Sequence, residues 1–179
     1  KIKAVIEESL AKLGFTNKEL VLSGISMGTT GAIYYGSKIG ARAVIVGKPL
    51  INLGTIALNN TLHRANEFDT ALDLLLLQQG KNSAKAATEL DQRMLQALKN
   101  SQLTAGQVLA AYMREDDYDG TAFHDLVENL QADQVKVIGH GYTGRHNDAS
   151  NKVIAWFLKQ YELLLQGFER EGQDETDQR

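Results

Sequence analysis

The stretch LVLSGISMGTTGAIYYGSK, from Leu20 to Lys38, decides the fold. An apolar run stops at a cluster of Gly, Ser and Thr, and an Ala- and Tyr-containing segment follows. That order reads as strand, tight turn, helix. Within it, Gly24-Ile25-Ser26-Met27-Gly28 fits G-x-S-x-G. Ser26 is either a nucleophile on a strand-to-helix turn or an ordinary residue of a Gly-rich turn. The pattern alone is too short to choose, so the remaining chain has to decide.

Upstream, Ile2, Val5, Ile6, Leu10 and Leu13 recur at helical spacing, and Gly14 ends that helix. Leu20–Leu22 reads as a short strand and 30–39 as a helix ending near Gly40. ARAVIVG (41–47) is a second buried strand, closed by Pro49, the only proline. From Ile51 to about Leu103 the pattern is mostly helical. QVLAAYM (107–113) is a third strand, followed by the acidic loop REDDYDG, and FHDLVENL is a short helix. QVKVIGH (134–140) is a fourth strand, and NKVIAWFLKQYELLLQGF is a strongly amphipathic helix. Short apolar strands alternating with helices predict an α/β fold, a mostly parallel sheet covered on both faces. The helical stretch 51–103 is too long for a simple crossover and reads as an insertion, a cap over the site. The domain is expected over 1–167, and the polar residues 168–179 form a tail without an apolar face.

Bulk properties remove several function classes. The 179 residues carry a net charge of −3, with 43% hydrophobic and 23% charged residues. This is ordinary globular composition, and it offers no basic surface for nucleic acid. There are no cysteines, which excludes disulfides, thiolate catalysis and Cys-ligated metals. Apolar runs such as Leu74–Leu77 are far too short to span a bilayer. The opening KIKAVIEESLAKLGF is an amphipathic helix rather than a signal peptide. Because the chain opens on Lys1 rather than Met, it is expected to be part of something longer.

In a parallel sheet, function gathers at the carboxyl ends of the strands. After the first strand comes Ser26. After the third come Glu115, Asp116, Asp117 and Asp119, and after the fourth comes GHGYTGRHND with His140 and His146. The order Ser, acid, His is the triad order of an α/β-hydrolase fold. A serine hydroxyl needs a base within hydrogen-bond reach, an imidazole serves near neutral pH, and a carboxylate on its far nitrogen fixes the tautomer. The expected catalytic residues are Ser26, Asp116 and His146. Asp117 and Glu115 stand close behind Asp116, and His140 is the rival base. The Met27 N–H, at the start of the following helix, is the natural oxyanion donor. Ser23 and Ser37 fall inside a strand and a helix and are poorer candidates, and His63 and His124 fall on helical segments and are read as structural or exposed.

Three other motifs are set aside. Gly139–Gly144 satisfies G-x-G-x-x-G, yet its helix begins several residues later and no acidic partner follows at the required distance. A flexible loop presenting His146 explains those glycines better. EDDYDG resembles a calcium loop, but its closing Glu position falls on Leu126. GTTG (28–31) lacks the Gly-Lys-Ser/Thr ending of a P-loop. No metal-binding spacing occurs, so no bound metal or cofactor is expected.

GISMGTTGAIYYGSKIGARAVIVGKPLINLG, AYMREDDYD and GRHNDASNKVIAWF together resemble the C-terminal part of the second accessory secretory protein family of Gram-positive bacteria. The resemblance runs from about Leu20 to Tyr161. It implies an α/β-hydrolase-like catalytic part and O-acetylation of N-acetylglucosamine on serine-rich repeat adhesins, coupled to adhesin export by the accessory Sec system. Carried over by motif, the nucleophile is Ser26, the base His146 and the acid lies in REDDYD, best matched by Asp116. The family's acid can be glutamate, which keeps Glu115 in view. An acetyl donor is implied as co-substrate. The implied partners are the other accessory Sec proteins, the accessory SecA ATPase and the glycosylated adhesin, in the cytoplasm or at the cytoplasmic membrane face with at most peripheral contact. Only a helix precedes the Ser motif, so the chain is expected to hold the C-terminal portion of the fold and to lack the earlier loop that supplies a second oxyanion donor. A plain esterase using the same triad, or a non-catalytic export scaffold, are the alternatives.

Overall fold

The computed structural model describes residues 1–58, 84–103, 106–115, 118–130 and 135–166. Along them run α1 (Ile2–Leu13), β1 (Val21–Ile25), α2 (Gly28–Ile39), β2 (Ala43–Gly47) and α3 (Leu53–Leu58). They continue with α4 (Ala84–Lys99), β3 (Gln107–Met113), α5 (Asp119–Asn129), β4 (Lys136–Tyr142) and α6 (Ser150–Leu165).

The four strands pair in sequential order, all parallel, with Ser23 opposite Ile45, Val46 opposite Ala110 and Ala111 opposite His140. Parallel crossovers are right-handed, so strands added steadily in one direction place their linking helices on one face. There, Ala32 and Ile33 of α2, Met94 and Leu98 of α4, and Ala122, Phe123 and Leu126 of α5 pack with Val44, Val46, Val108 and Ala110. The last helix, α6, takes the other face, where Val153 meets Ala111 and Met113. The middle strands are covered on both sides, which is why AVIVG and VLAAYM read as continuous apolar runs rather than alternations. Each Val or Ile so buried contributes roughly 1.5–3 kcal/mol. The expected α/β-hydrolase-like parallel sheet is present.

Several boundaries differ from the sequence reading. β1 continues to Ile25 and α2 begins at Gly28, so the turn between them is only two residues long. β4 runs on to Tyr142, so Gly139 and Gly141 lie in a strand and not in a flexible loop. A Cβ at Gly139 would collide with the Phe123 ring of α5, and this close packing is what requires glycine there. Of the expected insertion, the described parts are mostly helical, as α3 and α4. Asp91 of α4 accepts bonds from the backbone N–H groups of Gly54 (2.7 Å) and Thr55 (2.9 Å), closing the start of α3. Residues 59–83 and the expected tail 168–179 lie outside the described residues. α1 rests lightly on the domain. Ile6 and Leu10 are half-buried, Lys3 Nζ donates to the Lys38 carbonyl, and Gly14 ends the helix in the left-handed region (φ 75°). Among the described residues no helix is long and apolar enough to cross a membrane.

Candidate active site

All four strands end on the same side, and each end feeds the site. Ser26 occupies the turn between β1 and α2 with φ 54°, a left-handed backbone that costs a non-glycine residue about 1–3 kcal/mol. The turn is held by its own chain. Ser26 N–H donates to the Gly47 carbonyl (2.8 Å), and the Ser26 carbonyl accepts from Thr29 N–H (2.9 Å) and Thr29 Oγ1 (2.6 Å). Gly24 lets the helix start fold back onto the strand, because a Cβ there would strike the Gly28 backbone and lie 2.7 Å from Thr29 N. The buried Thr29 hydroxyl also accepts from Leu50 N–H (2.8 Å), and Thr30 Oγ1 donates to the Leu50 carbonyl (2.6 Å). The elbow is thereby joined to the KPL loop after β2.

His146 lies between β4 and α6, only 4% exposed. Its Nε2 is 2.9 Å from Ser26 Oγ and its Nδ1 is 2.6 Å from Asp119 Oδ1. Asp119, the first residue of α5, is completely buried, and its Oδ2 accepts from Met113 N–H at the end of β3 (3.1 Å). Both carboxylate oxygens are thus committed. With Nδ1–H donating to Asp119, Nε2 is left as the acceptor for the serine proton. The carbonyls of His146 and Asp148 and the Ser150 hydroxyl all receive Lys48 Nζ, the Asp148 and Ser150 bonds at 2.9 Å each.

The structure brings Ser26 and His146 together and sets the Asp119 carboxylate against His146 Nδ1. Asp116, the expected acid, and Asp117 lie outside the described residues. Glu115 is exposed, and its backbone N–H donates to the Gly144 carbonyl. The carboxylate on Nδ1 is Asp119, which sequence reasoning passed over as loop. A signal was there: Asp119, Ala122, Phe123 and Leu126 follow the i, i+3, i+4, i+7 spacing of one helix face, and all four are buried. His140, the rival base, instead packs its ring against Tyr142 and Trp156. Ser23 Oγ accepts from the Tyr161 hydroxyl, Ser37 is buried in α2, and His124 is exposed on α5, while His63 lies outside the described residues. Met27 forms the cap of α2, and its side chain packs against two buried clusters, one of Ala57, Ala86 and Ala87 and one of Leu50, Leu53 and Ile56. Lys48 was missed altogether.

The chain matches the model of a family described as the accessory Sec system GspB-transporter over residues 1–170. It is 44% identical over 162 residues to an accessory Sec system protein of Staphylococcus aureus (strain NCTC 8325 / PS 47), spanning 90% of this chain and 31% of that relative. It superposes with TM-score 0.85 and 41% identity on a chain of the glycosylation-associated protein (Gap123) complex from Streptococcus agalactiae, covering 93% of this chain and 32% of that one. The capsule O-acetyltransferase of Neisseria meningitidis serogroup A shares the fold at TM-score 0.64 and 17% identity, over 92% of this chain and 63% of its own. On the family match and the identity to its relatives, the chain belongs to the accessory Sec system GspB-transporter family.

Proposed function

We propose that this protein transfers an acyl group through an acyl-serine. The carrying observation is the continuous chain Ser26 Oγ–His146 Nε2 and His146 Nδ1–Asp119 Oδ1, at 2.9 and 2.6 Å, on the turns after β1, β4 and β3. In this reading Ser26 Oγ attacks the acyl carbonyl as His146 Nε2 takes its proton, and Asp119 stabilises the imidazolium. The oxyanion forms near the Met27 N–H at the head of α2. Collapse expels the leaving group, protonated by His146. A second hydroxyl then gives its proton to Nε2 and takes the acyl group from the serine.

Within the family, we read the acyl group as acetyl, from a donor co-substrate, and the acceptor as N-acetylglucosamine on a serine-rich repeat adhesin bound for export. Family membership supports this, as do the glycosylation complex that holds a relative and the acetyltransferase that shares the fold. The other accessory Sec proteins are the proposed partners. Water in place of the sugar gives an esterase with the same triad.

Incubation with an acetyl donor and a GlcNAc acceptor separates the readings. Acetylated sugar is expected, and release of acetate alone would overturn the transferase reading. Ser26→Ala is expected to lower turnover on the order of 10⁶-fold and to abolish labelling by a fluorophosphonate. Full activity in that variant would overturn the acyl-serine reading, and a wild type that neither transfers nor releases acetate would leave a non-catalytic export scaffold.

A further inference from the structure

We infer that Lys48 is a positioning residue that holds the His146 loop in register with Ser26; the inference rests on the triad reading above. Lys48 follows β2, the one strand whose end carries no member of the triad. It is 4% exposed, and burying a lysine head is costly unless its donors are met. Here they are met in full. Nζ donates to the His146 carbonyl, the Asp148 carbonyl and the Ser150 hydroxyl, three acceptors for the three N–H bonds of an ammonium. All three lie on the loop carrying the imidazole or on the first residue of α6. The loop's own internal bonds are local: Arg145 N–H to Asp148 Oδ2 and Asp148 N–H to the Arg145 carbonyl, both 2.8 Å. They shape the turn, and the Glu115 N–H to Gly144 carbonyl bond and the His146–Asp119 bond tie it to the end of β3. Lys48 adds the link to the end of β2, from about a hundred residues away in sequence.

Backbone strain marks the same place. Among the described residues, the non-glycine residues at positive φ are Ser26, Lys48 (φ 56°) and Ala149 (φ 51°). One carries the nucleophile, one the clamp, and one opens α6 directly after the His146 loop. Lys48 also precedes Pro49, which pushes the preceding residue towards extended backbone, so a left-handed conformation there is doubly disfavoured. It persists because Lys48 N–H donates to the Ala111 carbonyl (2.7 Å), tying β2 to β3 while the side chain turns to the loop. A merely stabilising lysine does not need this backbone.

The test is Lys48→Met, which keeps the stem and deletes the donors. Two readouts are taken: the rate of fluorophosphonate labelling at Ser26, and the downfield NMR resonance of the His146 Nδ1 proton held by Asp119. Labelling is expected to slow about 10²-fold, the cost of displacing a reacting group by an ångström. The downfield resonance is expected to broaden or vanish. In Ser26→Ala the resonance persists, because the His146–Asp119 bond does not need the serine. A folded Lys48→Met with unchanged labelling and an unchanged resonance overturns the inference. Should Lys48→Met fail to fold, Ser150→Ala decides, since it removes one acceptor, along with the longer Ser150 Oγ bond to the Asn147 carbonyl (3.3 Å), and leaves Lys48 in place. A few-fold slower labelling without loss of melting temperature supports the clamp, and an unchanged rate overturns it. If the wild type is never labelled, the acyl-serine reading fails on its own, while the resonance still reports whether Lys48 places the imidazole.

Discussion

The Ser26 elbow and the His146 loop meet 2.9 Å apart, yet they are built in opposite ways. The elbow is largely its own scaffold. Gly24, Ser26, Gly28 and Thr29 lie within six residues, and the two bonds to the Ser26 carbonyl come from Thr29. The His146 loop carries a local turn, and long-range bonds to Asp119 and Lys48, 27 and 98 residues away, hold it over the sheet. A serine elbow can therefore be specified by a short motif, whereas the imidazole that faces it depends on the assembled sheet. Substitutions around the elbow should act through the backbone, and substitutions around the loop should act through single side-chain contacts.

After loss of the serine itself, the largest effect expected from a single change falls on the loop side. Asp119→Asn leaves the shape but replaces an acceptor by an amide that can present N–H to Nδ1, favouring the wrong tautomer. Turnover is expected to drop about 10⁴-fold. Asp116→Asn, made beside it, is expected to leave turnover unchanged. Steady-state rates for the pair check this, and the reverse ranking would return the acid to the place the sequence reading gave it.

On the elbow side, Gly24→Ala tests the backbone claim. The new Cβ meets the Gly28 main chain, which cannot swing aside as a side chain could. A stability loss of about 1–3 kcal/mol is expected from urea unfolding, together with weaker labelling of Ser26. Wild-type stability with wild-type labelling would mean that the turn has more freedom than its packing implies.

The same contrast explains what could be read before the structure was known. Strand β3 was legible to the residue, because a strand buried on both faces leaves an uninterrupted apolar run. Ser26 was legible because its motif is local, and His146 because topology leaves few places for a base after the last strand. Asp119 was hidden among neighbouring acids, whose side chains look alike until helix phase puts Asp119 on the buried face of α5. Lys48 was not legible at all. Its partners are two main-chain carbonyls and a serine hydroxyl, and carbonyls leave no residue-type signature. The glycines of GHGYTG misled for a related reason. Flexibility and close packing both select glycine, and only the Phe123 ring against Gly139 decides between them.

The smallest effect belongs to the turn that leads into β1. Glu19 Oε2 accepts from Thr16 N–H (2.8 Å) and Thr16 Oγ1 (2.7 Å) on the surface. The Thr16 hydroxyl and its backbone N–H, which favour the charged form, hold the Glu19 carboxyl below its ordinary range. A carboxyl depressed in the folded state stabilises above its unfolded pKa, about 4.3, and that contribution fades as pH falls through the lower folded value. Glu19→Gln should therefore melt slightly below the wild type at neutral pH, and the two melting curves should converge as the solution is acidified. Labelling of Ser26 at neutral pH should not change, because the elbow takes its shape from residues that follow Glu19. If Glu19→Gln slows labelling, the elbow is positioned from further back along the chain than its own hydrogen bonds indicate, and the contrast with the His146 loop narrows.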